Sequence, residues 1–151
     1  IQTGEEMVFG RGNTGRAVRA SCSIPGVFNP VMIGDKAYVD GGVVSPVAID
    51  VARKFGADVV IVVDISSSLS STTPTGTFET IIQAVEIMHN KMSIIQLKNA
   101  DVVIKPKVGN IGSSDFTKRH EAIMEGEKAA AEAIPAINQI ISRLRREGRL
   151  P

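Results

Sequence analysis

Asp40-Gly41-Gly42 is the local pattern in this sequence with the clearest chemical use. An aspartate followed by two residues without a Cβ lets other backbone approach its carboxylate closely. That suits a base that must touch a nucleophile directly. Asp-Gly is also a common turn signal, so the tripeptide alone fits a plain turn. A second pattern is Gly10-Arg11-Gly12-Asn13-Thr14-Gly15, which matches Gly-x-Gly-x-x-Gly with Asp35 downstream at a distance suited to a ribose ligand. Against a dinucleotide site stand a short preceding run, Met7-Val8-Phe9, an early Pro25, and the place of Asp35 in a predicted hairpin turn. His89 and His120 each fall within a helical pattern without a second ligand at metal spacing, and read as structural histidines. Cys22 sits among small residues and reads as a buried, inert thiol. No metal motif appears, and no cofactor is expected.

Several elements must position these groups. Ile1–Thr3 and Glu6–Phe9 around Gly4 predict a leading hairpin. Asn13 or Thr14 caps a short helix through Ala17, Val18 and Cys22, stopped by Pro25 and Gly26. Val31–Ile33 and Lys36–Val39 flank Gly34-Asp35 as a second hairpin that ends at Asp40. Ser45 and Pro46 predict a helix start, with Val47, Val51 and Phe55 on one face and Gly56 as the stop. Val59–Val63 is a continuous aliphatic run, read as a strand buried on both faces. Strand, helix and strand over residues 36–65 then read as a βαβ unit. A Ser/Thr-rich loop over 66–77 follows. Next comes a long helix with Phe78, Ile81, Val85, Met88, Met92 and Ile95 on its inner stripe. The Met88–Met92 part of that stripe could also wall an acyl chain. Asp101–Ile104 reads as another buried strand. Asp115 caps a last helix with Phe116, His120, Ile123 and Met124 inward, broken or kinked at Pro135 and continued over 136–147. Together these predict a three-layer α/β/α sandwich with a mostly parallel central sheet, incomplete in this chain. Asp40 lies at a strand's carboxyl end, where functional groups gather in such sheets.

Ala20-Ser21-Cys22-Ser23-Ile24-Pro25-Gly26-Val27-Phe28-Asn29-Pro30-Val31 followed by Tyr38-Val39-Asp40-Gly41-Gly42 resembles the patatin-like phospholipase family, of bacterial type. The likeness continues through Gly56–Asp64, Ala100–Ile104 with Pro106, Asp115-Phe116 and Ile123–Glu127, and so spans nearly the whole chain. The resemblance implies a Ser–Asp dyad that cleaves acyl esters of phospholipids or lysophospholipids. Its serine forms an acyl-enzyme, its aspartate takes the serine proton, and backbone N–H groups hold the oxyanion. Asp40 matches the catalytic aspartate. Ser21, Pro25, Gly41 and Gly42 match positions that line the site. The family's Gly-x-Ser-x-Gly elbow and glycine-rich oxyanion loop have no match here, and Gly112-Ser113-Ser114 does not fit. Residues 1–151 are therefore expected to form the C-terminal part of one patatin-like domain, with the nucleophile supplied from upstream and this segment inactive alone. Ser45 stands where relatives commonly carry Asn.

The chain has 151 residues, 43% apolar and 22% charged, with net charge +1. That is ordinary for one globular domain. The balanced charge and the absence of Trp give no nucleic-acid footprint. The expected partners are a lipid or ester substrate, the N-terminal half of the same protein, and transient contact with a membrane surface. Arg143, Arg145, Arg146 and Arg149 would serve that last contact, or simply form a solvated helix end. A non-catalytic interaction module derived from a patatin-like half is the alternative function. Cys22, the only cysteine, favours a reducing compartment, and cytoplasmic or membrane-peripheral residence is expected.

Overall fold

Residues 1–66, 73–109, 111–112 and 115–150 are described by a computed structural model. The expected loop over 66–77 lies largely outside them. Helix α1, Thr14–Ser21, is capped by Asn13, whose side chain accepts from the Arg16 N–H at 2.9 Å. Strands β1, Val31–Ile33, and β2, Lys36–Tyr38, form the predicted antiparallel hairpin. Gly34 carries φ +63 at the first turn position, as a type II′ turn requires.

The predicted leading hairpin does not form. Residues 1–10 contain no strand. Two such short runs make too few ladder bonds to hold each other. Phe9 instead packs on Tyr38 with ring centroids 5.3 Å apart, so the segment lies along the β1–β2 hairpin.

Helix α2, Ile49–Lys54, starts later than Ser45-Pro46 predicts. The turn after Asp40 uses the intervening backbone. Val44 and Ser45 N–H both donate to the Gly41 carbonyl, and the Val47 N–H donates to Gln96 Oε1 at 3.0 Å. The helix ends as predicted, with Gly56 at φ +88. Gly56 N–H donates to Arg53 O and Ala57 N–H to Ala52 O, the paired bonds of a Schellman stop.

Strand β3, Ile61–Val63, and strand β4, Val102–Ile104, pair in parallel, joined through helix α3, Thr77–Leu97. The crossover unit is thus β3–α3–β4. Strand β2 pairs with β1 and not with β3, so the βαβ unit expected over 36–65 is not formed. Val60 and Val62 pack with Ile49, Ala52 and Leu97 on one face of the parallel pair. Val102 and Ile104 are buried on the other, where helix α4, Arg119–Arg146, crosses β4. Helices on both faces make this an α/β/α arrangement, with a parallel sheet of two strands among the described residues. The strands are not buried on both faces as expected. Val63 is 57% exposed, and Ile61 and Val103 are also exposed.

Arg53 ties the helix end to the sheet. Its guanidinium donates to the carbonyls of Ala57, Asp58 and Asn99 and pairs with Asp101. Asp101 also accepts from the Val60 N–H at 2.8 Å, and this backbone bond, with Arg53, holds its carboxyl below the ordinary range. Asp64, 6% exposed at the end of β3, pairs with Lys105 at 2.9 Å. Burial pushes its carboxyl up, but Ser66 and Lys105 outweigh burial and leave it lowered.

Both long helices turn differently from expectation. On α3, Phe78, Ile81, Met88 and Ile95 of the expected stripe are exposed while Val85 and Met92 are half-buried, and the side facing the fold runs through Ile82, Val85, Met92, Ser93, Gln96 and Leu97. Helix α4 follows a single turn of 3-10 helix, Phe116–Lys118, capped by Asp115. It is continuous through Pro135. Phe116, His120, Ile123 and Met124 point outward. The seam against the fold is Ala122, Gly126, Ala129, Ala133, Ile137, Ile140 and Leu144, whose small members let the helix approach closely.

Candidate active site

The peptide that carries Asp40 is fixed from behind. Its N–H donates to the carbonyl of Ser23 at 3.0 Å. Ser23 is fully buried, and its hydroxyl donates to Arg19 O at 2.7 Å and accepts from the Arg19 guanidinium at 2.9 Å. Asp40 therefore hangs from the block that follows α1. Its own side chain turns back, and Oδ1 accepts from the Gly42 N–H at 2.7 Å. That bond caps the 3-10 turn Gly41–Val43 and fixes the carboxylate plane.

Asp40 opens onto a cleft of about 740 Å³. The leading segment, α1, the β2 end, the turn after it, α2 and His89 of α3 form its walls. Apolar side chains dominate the walls, including Met7, Val8, Phe9, Val18 and Val44. The cleft is open and mostly apolar, and Asp40 lies at its hairpin side.

Of the residues assigned to the site from sequence, Asp40, Ser21, Gly41 and Gly42 lie on this cleft. Pro25 does not line it. The adjacent Gly26 lies instead under α3, where an added Cβ would sit 3.2 Å from Ile82 Cδ1. Two residues that the sequence reading missed belong to the neighbourhood. Ser23, not Ser21, makes the backbone link to Asp40. His89 packs across Gly42, with Nε2 at 3.3 Å from the place of a Gly42 Cβ. No spacing signal marks His89, which lies 49 residues beyond Asp40 in the chain. Met88 is exposed and is not part of the cleft lining.

The dinucleotide reading has no structural support. No strand precedes the glycine run, and Asp35 sits in the turn between β1 and β2. Two of the C-terminal arginines are drawn into the chain's own pairs: Arg149 with Asp58 and Glu147, and Arg143 with Glu147. Among the described residues no helix is long and apolar enough to cross a membrane, and no three His, Cys, Asp or Glu gather as a metal site.

The patatin-like phospholipase family profile matches residues 11–53, which run from before α1 through Asp40 and into α2. Three uncharacterized NTE family proteins, one from Mycobacterium bovis and two from strains of Mycobacterium tuberculosis, are each 28% identical over 159 residues. The alignment covers 89% of this chain and 27% of each relative. Over residues 11–53 this chain is similar to the patatin-like phospholipase family. The patatin-like match falls on the part that builds the Asp40 cleft, and the wider similarity extends over the parallel pair and its helices. The chain spans about a quarter of the length of the curated relatives it matches.

Proposed function

We propose that this chain supplies Asp40 as the general base of a Ser–Asp dyad in a lipid acyl hydrolase. The serine nucleophile would come from polypeptide outside this segment, in keeping with residues 1–151 as the C-terminal part of a patatin-like domain. The observation that carries this reading is the carboxylate itself. Oδ1 is tied to the Gly42 N–H, and the group faces an apolar cleft large enough for an acyl chain.

In the reaction, the serine Oγ bonds to the ester carbonyl carbon as its proton passes to Asp40. Collapse of the tetrahedral species breaks the bond to the leaving alcohol, which takes that proton. Water then adds to the acyl-enzyme by the same route and releases the fatty acid. A base already oriented by Gly42 pays little reorganisation at each transfer. Phospholipids or lysophospholipids are the substrate class, which fits a cleft walled by aliphatic residues.

The test is hydrolysis of a short-chain p-nitrophenyl ester by the whole protein. Asp40→Asn is expected to abolish turnover with the fold retained. Unchanged activity in that variant rules Asp40 out as the base.

A second reading, a non-catalytic interaction module, is favoured by exposed apolar residues on both long helices, Phe78, Ile81 and Ile95 on α3 and Phe116 and Met124 on α4. It predicts no hydrolysis by the wild-type protein and stable association with another chain.

A further inference from the structure

We propose that His89 is a positioning residue for the Asp40 base, its imidazole setting how readily that carboxylate accepts a proton. The inference rests on the reading of Asp40 as the base of an acyl hydrolase. Gly42 brings the two side chains together. A Cβ built on Gly42 would lie 3.1 Å from Asp40 Oδ1 and 3.3 Å from His89 Nε2. Carboxylate and ring edge thus border the same small space, left open because residue 42 has no side chain. Helix α3 is held in that place by Gln96, two turns beyond His89, which accepts the Val47 N–H.

A cation beside a carboxylate favours its ionised form and makes it a poorer proton acceptor. A charged imidazole at this position would therefore slow proton transfer from the serine, and a neutral one would not. Histidine is the side-chain type whose charge changes between about pH 5 and 8. The other ionisable groups on the cleft are Glu5, Glu6 and the amine of Ile1 from the leading segment, and Tyr38 from β2. Glu86 lies one turn earlier on α3. The stretches of α1 and α2 on the cleft contribute no ionisable side chain to its lining.

The experiment is the pH profile of kcat/KM from pH 5 to 8 for the whole protein with p-nitrophenyl butyrate, product being read after an alkaline quench. Wild type is expected to lose activity on acidification across this range. His89→Gln should flatten the profile. His89→Lys should hold kcat/KM about three- to tenfold below that of His89→Gln at every pH, because its cation does not titrate in the range. A His89→Gln profile that matches wild type, with Asp40→Asn inactive, overturns the role of His89 and leaves the base intact. An active Asp40→Asn overturns the reading of Asp40 itself.

Discussion

The backbone N–H of Asp40 donates to the carbonyl of Ser23 at 3.0 Å, joining the end of β2 to the fully buried residue beyond α1. The site's carboxylate is thus positioned through a serine that never meets the cleft. Ser23 is itself locked by two hydrogen bonds to Arg19, whose guanidinium stacks 5.6 Å from the Phe28 ring centroid. Ser23→Ala removes both side-chain bonds and is expected to cost about 1–2 kcal/mol. For a domain of this size that lowers the melting temperature by roughly 2–8 °C. An unchanged thermal melt would show that the Arg19 bonds are exchanged for water without loss.

Gly41 and Gly42 make different demands. Neither has a positive φ, so an L-residue fits the backbone at both. A Cβ at Gly41 meets nothing within 4 Å, whereas one at Gly42 crowds Asp40 Oδ1 and His89 Nε2. Gly42→Ala should displace one of those side chains by a few tenths of an ångström and, with Asp40 as the proposed base, reduce ester hydrolysis by the whole protein several-fold. Gly41→Ala should stay within about twofold of wild type, since it displaces neither group. Equal effects at the two positions would argue against a requirement for close approach at Gly42.

Local signals were legible in the sequence. The Asn13 cap, the Gly34-Asp35 turn and the Gly56 stop each follow from one or two residues with a defined backbone preference. Asp40 at the β2 end was legible for the same reason. Long-range facts were not. The pairing of β3 with β4 joins residues 41 apart, and neither carries a mark of its partner. The helix faces were misread because large side chains were taken as the inner stripe. On α4 the true seam begins with Ala122, Gly126 and Ala129, whose value lies in being small. His89 entered the site through the packing of α3, which no spacing in the chain announces.

Acid should weaken the fold through two carboxylates. Asp101 is lowered by the Val60 N–H and Arg53, and Asp64 by Ser66 and Lys105 against the upward push of burial. A lowered carboxyl binds its proton less tightly in the folded than in the unfolded chain. Its stabilisation is complete above the ordinary value of 3.8 and is lost as pH falls through the depressed folded value. Urea unfolding followed from pH 6 downward should show stability falling below about pH 4. Asp101→Asn should begin less stable and show a shallower fall. An acid slope identical to wild type would mean that Asp101 contributes none of it.

Pro135 offers a gain. It lies at an exposed position inside the continuous helix α4, without an N–H to donate to the Ala131 carbonyl. Alanine restores that bond and removes the ring's clash with the preceding turn. A proline in an exposed helix interior costs up to about 3 kcal/mol relative to alanine. Pro135→Ala is therefore expected to raise stability by about 1–3 kcal/mol in urea unfolding, with no change of fold. The alternative is that the helix needs a bend at this point to bring Ile137, Ile140 and Leu144 against Ile61 of β3, with which they line an apolar cleft. In that case straightening α4 would lift Leu144, 4% exposed, off the sheet, and the variant would lose stability instead. The sign of the change separates a tolerated defect from a bend that the packing requires.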